Sequence, residues 1–246
     1  QTGAFVSVVL LDDESGIGQG FDAHVHPTVP RETEASRTVS KALHWLSTLD
    51  PNRPFFLWVH FMDPHAPDDC PEPYSQTYEG EVAFVDDLFG TLLKNWDQRF
   101  GCDDCLTVVT ADHGEHLGDH GYDRGHGTLW QTNLWVPLMM RAPRMIPPGA
   151  VVKELTRQID VLPTILDYCA LPMPHNVEGA SLRGLIEGTD HGLRLVHQGQ
   201  SEPVFYRSAA TIRNERYAFH FDQDGRLIHV FDCEADPGEA HDLLHQ

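Results

Sequence analysis

Basic residues are scarce in this chain. Lysine and arginine total 17 against 37 aspartates and glutamates, a formal charge of −20 over 246 residues. A surface so short of positive charge excludes the phosphate-tracking face of a nucleic-acid binder and docking on anionic lipid. It does not exclude an anionic substrate, because a bound cation can invert the field inside one cleft. No apolar run approaches the roughly 18 residues of a membrane-spanning helix, so no membrane segment is expected. Cysteine is limited to five, Cys70, Cys102, Cys105, Cys169 and Cys233, and the odd count argues against a closed disulfide framework. Cys102 and Cys105 form a single C-x-x-C; with no second one, a local disulfide or two thiols is expected rather than zinc. Internal repeats and low-complexity tracts are also lacking.

Hydrophobic residues make up 41%, enough for a buried core and too many for a disordered chain. The 16 histidines nearly match the lysines and arginines combined. The β-branched run at 4–10 predicts a buried strand, and the glycines and prolines of 11–31 predict a long loop. A helix is expected over 32–49, a second buried strand over 55–61, and an irregular proline-rich loop after it. Tyr78, Val82, Val85, Phe89, Leu92 and Trp96 form an apolar stripe at helical spacing, with Glu79, Glu81, Asp86 and Asp87 largely off it. Further strands are expected at 105–110 and 135–141, Pro137 placing a bulge or edge in the latter. A helix over 160–169 is expected to start on an Asp160 cap. Short strands at 203–207, 216–221 and 227–231, with Asp224-Gly225 as a hairpin signal, suggest an antiparallel appendage. Alternating strands and helices imply an α/β fold with a mainly parallel sheet sandwiched by helices, over 1–195, followed by a small antiparallel subdomain over 196–246.

In open α/β sheets, ligands bind beyond the carboxyl ends of strands. Asp63-Pro64-His65-Ala66-Pro67 leaves the second predicted strand there, and Asp112-His113-Gly114-Glu115 leaves the third. On a loop, Asp112 and His113 can reach one cation together; the alternative is a capped turn with a surface imidazole. His65 alone reads as a loop histidine, although the prolines around it would hold a proton donor in place. His126 lies between two glycines, which permit a ligand close to the backbone, or simply make a turn. His116 and His120 flank the Asp112-His113 pair, where either could be a ligand, but solvated histidines are expected; Asp12-Asp13 reads as a solvated turn rather than a metal pair.

Seven segments in order carry a family resemblance: AFVSVVLLDDESGIGQGFD, PFFLWVHFMDPHAPDDCPEPY, YEGEVAFVDDLFGTLL, TVVTADHGEHLGDHG, VPLMMRAP, IDVLPTILDYCALP and HVFDCEADPGEAHDL. Together they resemble the sulfatases, within the alkaline phosphatase-like superfamily. The resemblance implies a sulfuric ester hydrolase with one divalent metal ion, calcium foremost and magnesium, manganese or zinc as alternatives. It implies that Asp112 and His113 are metal ligands, and that His65 contacts the ester and protonates the leaving oxygen. His126 falls where many members carry a sulfate-binding lysine, and an imidazole neutralises less charge there. His113 replaces an asparagine found in some members, which broadens the metals beyond calcium. The substrate implied is a small-molecule or glycan sulfate ester, and the location periplasmic or secreted. Oligomeric state is not legible.

None of the five cysteines stands in the family's C-x-P-x-R, from which its formylglycine nucleophile is made. The expectation is therefore that the chain is the C-terminal part of a sulfatase, with the nucleophile and first aspartate pair upstream. On that expectation the 246 residues alone hydrolyse no ester. The competing class is a phosphatase, phosphodiesterase or phosphonate hydrolase of the same superfamily.

Overall fold

The computed structural model describes residues 1–28, 34–65, 69–101, 103–190, 196–199 and 210–244. The chain divides into two compact units, Gln1–Cys102 and Asp103–Gln246. The first is built on a three-stranded parallel sheet in the order β2-β1-β3, with β1 Thr2–Phe5, β2 Ala23–Val25 and β3 Phe56–Val59. β1 is shorter than the apolar run predicted. Val9–Leu11 is a 3-10 turn and Leu10 is 78% exposed, so the run's second half leaves the sheet. The predicted loop contains β2, whose Ala-His-Val is too short and too polar to announce itself.

Helix α1, Ala35–Thr48, and helix α2, Tyr78–Phe100, supply the core with β1: Phe5, Ala42, Leu46, Leu49, Leu92 and Trp96 pack together. Gly3 lets Trp45 of α1 lie on the strand, since a Cβ there would sit 2.9 Å from the indole. Ser7 is fully buried and satisfied by Thr38 Oγ1 and the His60 carbonyl, both at 2.9 Å. Thr77 caps α2 by accepting from the Gly80 amide. The stripe of α2 is rotated from the one predicted. Phe84 and Glu81 are buried and Val82 is exposed, because Glu81 turns inward to accept the Asp69 amide at 2.9 Å.

The second unit opens with β4, Thr107–Thr110, paired antiparallel with β5, Leu138–Arg141, which starts directly after Pro137. Short helix α3, Gln131–Leu134, lies between them in sequence. Helix α4, Val161–Tyr168, follows Asp160, whose carboxylate makes no helix cap. It instead accepts from the Arg157 and Ala180 amides and pairs with the Arg157 guanidinium at 2.7 Å. α5 spans Arg183–Ile186. The C-terminal sheet is an antiparallel meander of β6 Val196–Gly199, β7 Ala210–Arg213, β8 Tyr217–Phe221 and β9 Leu227–Asp232. Asp224-Gly225 lies in the β8–β9 turn, as expected. The strand expected at 203–207 lies outside the described residues, as does Cys102; the expected boundary at 195/196 adjoins 191–195, which also lie outside them. The fold is thus α/β, with a parallel sheet, helices and a small antiparallel C-terminal sheet.

Beneath that sheet is a buried charged network. Glu239 pairs with Arg213, accepts the Gln131 amide at 2.8 Å and stands 3.8 Å from His220 Nε2. Burial would raise the Glu239 carboxyl, but His220, Arg213 and the Gln131 amide together hold it below its ordinary value.

Candidate active site

Strand β4 ends at Thr110 and delivers Asp112 and His113 to the loop beyond it. Asp112 Oδ1 accepts the His113 amide at 3.0 Å, a tight local turn. His113 Nδ1 lies 2.8 Å from the Gly114 carbonyl, which can only accept, so Nδ1 carries the proton. Nε2 is left as the lone-pair nitrogen, 3.6 Å from Asp112 Oδ2. The Asp112 side chain is 81% exposed and that of His113 35%. One nitrogen and one carboxylate thus face the same space, and the other ring nitrogen is fixed by a backbone carbonyl. That orientation is the one metal-ligating histidines adopt, so the donor pair fits part of a divalent-cation site.

Two residues that sequence reasoning missed hold this loop. Gln158 donates to the carbonyls of Ala111 and Asp112 at 2.6 and 2.8 Å, clamping the exit of β4. Asn133 is buried and links two loops. Its carboxamide oxygen accepts from the Thr128 amide and hydroxyl at 3.0 and 2.7 Å. Its nitrogen donates to the carbonyls of Gly114 and Gly125 at 3.4 and 3.5 Å. Gly114 must be glycine because α3 presses on it; a Cβ would lie 2.0 Å from the Thr132 carbonyl oxygen. Glu115 accepts the Gly125 amide at 2.5 Å, and the His116 amide donates to the Gly125 carbonyl at 2.8 Å. These bonds draw residues 124–127 against 112–116, and the exposed His126 ring stacks on His113 with centroids 4.1 Å apart.

His116 is not solvated, and His120 is half-buried. His116 is 1% exposed and its nitrogens meet the hydroxyls of Thr128 and Thr132 at 2.8 and 3.1 Å. Burial pushes its pKa down, with His120 adding to the effect. His120 stacks on Trp130 at 4.0 Å. The threonines that satisfy His116 stand 12 and 16 residues further along the chain, which hid this role.

The structure therefore brings Asp112, His113 and His126 together in the second unit. His65 is half-buried in the first, on the loop leaving β3. Two residues before it, Asp63 accepts the Ala35 amide with both oxygens, at 2.9 and 3.0 Å, and so tethers that loop to the first residue of α1. Asp12 caps a 3-10 turn at 13–15, but Asp13 is not merely solvated, because it reaches His24 and His26. The hydrogen bonds from His24 and then His26 lower the Asp13 pKa, and His26 is raised by its bond to the Pro27 carbonyl and then by Asp13. The signal for this cluster was the H-x-H spacing at 24 and 26.

Comparison with known proteins adds independent observations. The family model described as Sulfatase matches residues 16–170, and the one described as N-sulphoglucosamine sulphohydrolase, C-terminal, matches 118–246. An arylsulfatase of Clostridium perfringens is 24% identical over 96% of this chain and 57% of its own length. An N-acetylglucosamine-6-O-sulfatase of Bacteroides thetaiotaomicron is 27% identical over 70% of this chain and 32% of its own length. The chain thus spans about half or less of the curated relatives it matches. A structure solved with its substrate D-glucosamine-2-N,6-O-disulfate superposes with a TM-score of 0.83, 17% identity, and coverage of 100% of this chain and 75% of that one. At that identity the likeness is one of fold.

Proposed function

The chain belongs to the sulfatase family, and from that premise we propose that it carries part of the active site of a metal-dependent sulfuric ester hydrolase. The observation that carries the reading is the geometry past β4. His113 Nε2 and Asp112 Oδ2 face one another at 3.6 Å, with His113 Nδ1 tied to a carbonyl and His126 stacked alongside.

Asp112 and His113 would hold the cation. Calcium is the first candidate, and the imidazole nitrogen keeps magnesium, manganese and zinc in view. Such an ion supplies positive charge against the sulfate oxygens. Gln158 and Asn133 keep the two ligands in register, so little reorganisation is left to the reaction. His126 would bind a sulfate oxygen through a ring N–H. A ring nitrogen of His65 would hand a proton to the departing alcohol oxygen. The formylglycine nucleophile of the reading has no counterpart among the five cysteines here, none of which stands in C-x-P-x-R.

The substrate class to test first is a sulfated amino sugar. The matched C-terminal family model and two of the relatives described above are named for sulfated glucosamines. A periplasmic or secreted location follows the family's tendency, and cell fractionation tests it. No described helix is long and apolar enough to cross a membrane.

The experiment is to assay the full-length protein on glucosamine sulfates and an aryl sulfate, beside matched phosphate and phosphonate esters. Sulfate turnover that disappears in Asp112→Ala is the expected result. Turnover of phosphorus esters without any of sulfate esters would replace this reading with the phosphoryl class.

A further inference from the structure

A second group of metal-ligating side chains lies in the first unit, and local structure explains why it converges. His24 and His26 stand two residues apart on β2 and its exit, so the strand's period of two puts both on one face. Their ring centroids are 5.1 Å apart. Asp12 accepts the amides of Glu14 and Ser15 at 2.9 and 3.3 Å, fixing the turn from which Asp13 reaches across. Asp13 Oδ1 is 2.9 Å from His24 Nδ1, and Oδ2 is 3.4 Å from His26 Nε2. Gly18 packs against the His24 ring, where a Cβ would lie 2.4 Å from Nδ1. The side chains of His24 and His26 are 7% and 19% exposed, and that of Asp13 is 77% exposed. His24 Nε2 is buried without a hydrogen-bond partner among the described residues, so that ring's polar contact is all on the Asp13 side.

We propose that Asp13, His24 and His26 form a binding site for a divalent transition-metal ion of the zinc class. Their ligand atoms all lie within 4.8 Å of one another. His26 Nδ1 is 2.9 Å from the Pro27 carbonyl oxygen, which can only accept, so this nitrogen carries a proton. With Nδ1 keeping that proton, Nε2 is the nitrogen free to turn its lone pair to a cation, and it stands 3.4 Å from Asp13 Oδ2, so an ion placed there would meet both donors. An imidazole whose far nitrogen is tied to a backbone carbonyl is also the usual outer support of a metal ligand. Ligand atoms around a tetrahedral ion with bonds of about 2.0–2.1 Å stand about 3.3 Å apart. The two ring nitrogens stand on that scale from the carboxylate, His24 Nδ1 at 2.9 Å from Oδ1 and His26 Nε2 at 3.4 Å from Oδ2, so an ion would take one of these oxygens after a small rotation of Asp13. Two imidazoles and one carboxylate select zinc and its neighbours over calcium or magnesium, which prefer oxygen throughout. Three protein ligands leave a fourth position, and the exposure of Asp13 opens it to water. Such an ion would bind the 13–15 turn to β2.

The test uses the full chain, stripped of metal and carrying Asp112→Ala so that the pair past β4 contributes nothing. Zn²⁺ is titrated calorimetrically and Co²⁺ by its visible absorption. One equivalent is expected to bind, with an absorption spectrum of nitrogen-and-oxygen ligation. Asp13→Asn and His26→Ala should each weaken Zn²⁺ by more than the roughly 10–100-fold that losing an outer-shell partner costs. Asp13 is exposed, so its variant keeps the parent's circular dichroism and its loss of binding is read without ambiguity. Absence of Zn²⁺ binding at micromolar concentration, or unchanged affinity in both variants, overturns the proposal.

Discussion

The imidazole of His126 lies over that of His113, with centroids 4.1 Å apart and planes 24° from parallel. On the proposed reading, this stack sets the histidine that would bind the ester against the one that would bind the metal. Asp112→Asn is expected to lower sulfate turnover by roughly 10²–10³-fold, the scale of losing one preorganised charged contact. Its 81% exposure leaves stability within about 0.5 kcal/mol of the parent. Turnover and a denaturant titration on one preparation separate the two effects.

Asn133 joins the loops bearing His113 and His126. Asn133→Ala leaves the Gly114 and Gly125 carbonyls and the Thr128 amide without this partner, at a cost of about 1–3 kcal/mol. Activity should fall more than stability, because the two loops then drift apart. A variant as unstable as expected but fully active would show that the link serves folding alone.

Gly114 is a packing requirement rather than a flexible joint. Gly114→Ala drives a methyl into the Thr132 carbonyl, and backbone must move to accept it. A loss of about 3 kcal/mol is expected from such overpacking. The midpoint of urea unfolding measures it.

The network under the C-terminal sheet should behave as a buried ion pair. Glu239→Gln leaves the Arg213 guanidinium, itself 6% exposed, without its countercharge, and about 3–5 kcal/mol should be lost. Replacing both partners by apolar residues of similar volume should recover much of that. A double variant no better than the single one would mean that Gln131 and His220 carry the network instead.

Acid sensitivity should trace partly to Asp160. Burial raises this carboxyl, but the Arg157 guanidinium and the Ala180 and Arg157 amides outweigh it and hold the pKa below its ordinary value. A group depressed on folding stabilises fully above its unfolded pKa, near about 3.9, and loses that contribution as pH falls through its folded value. The parent should therefore lose stability below about pH 4 more steeply than Asp160→Asn. Thermal melts from neutral pH down to about pH 3 test the difference in slope.

Adjacent residues were the readable part of the site. Asp112 and His113 stand side by side at a strand end, so their pairing needs only local backbone, and the motif named them directly. The same holds for the long helices, whose periodicity runs over many residues, and for the hairpin at Asp224-Gly225. Short elements were harder. β2 has three residues and no apolar pattern, and Leu10 continues an apolar run after the chain has left the sheet.

Local order thus carried the fold class and the family resemblance, and it nominated Asp112 and His113 as a candidate pair. Folding alone brought Gln158 to the Ala111 carbonyl, Asn133 between two loops, and Asp13 to His24 and His26. The reason is physical. A side chain's partner across a long loop depends on where sheet pairing and core packing carry the backbone. Glu81 turned inward, His116 satisfied by two threonines and the Arg213–Glu239 pair are likewise products of that packing. Polarity in the sequence predicts exposure, whereas only the assembled core supplies the partner that makes burial affordable.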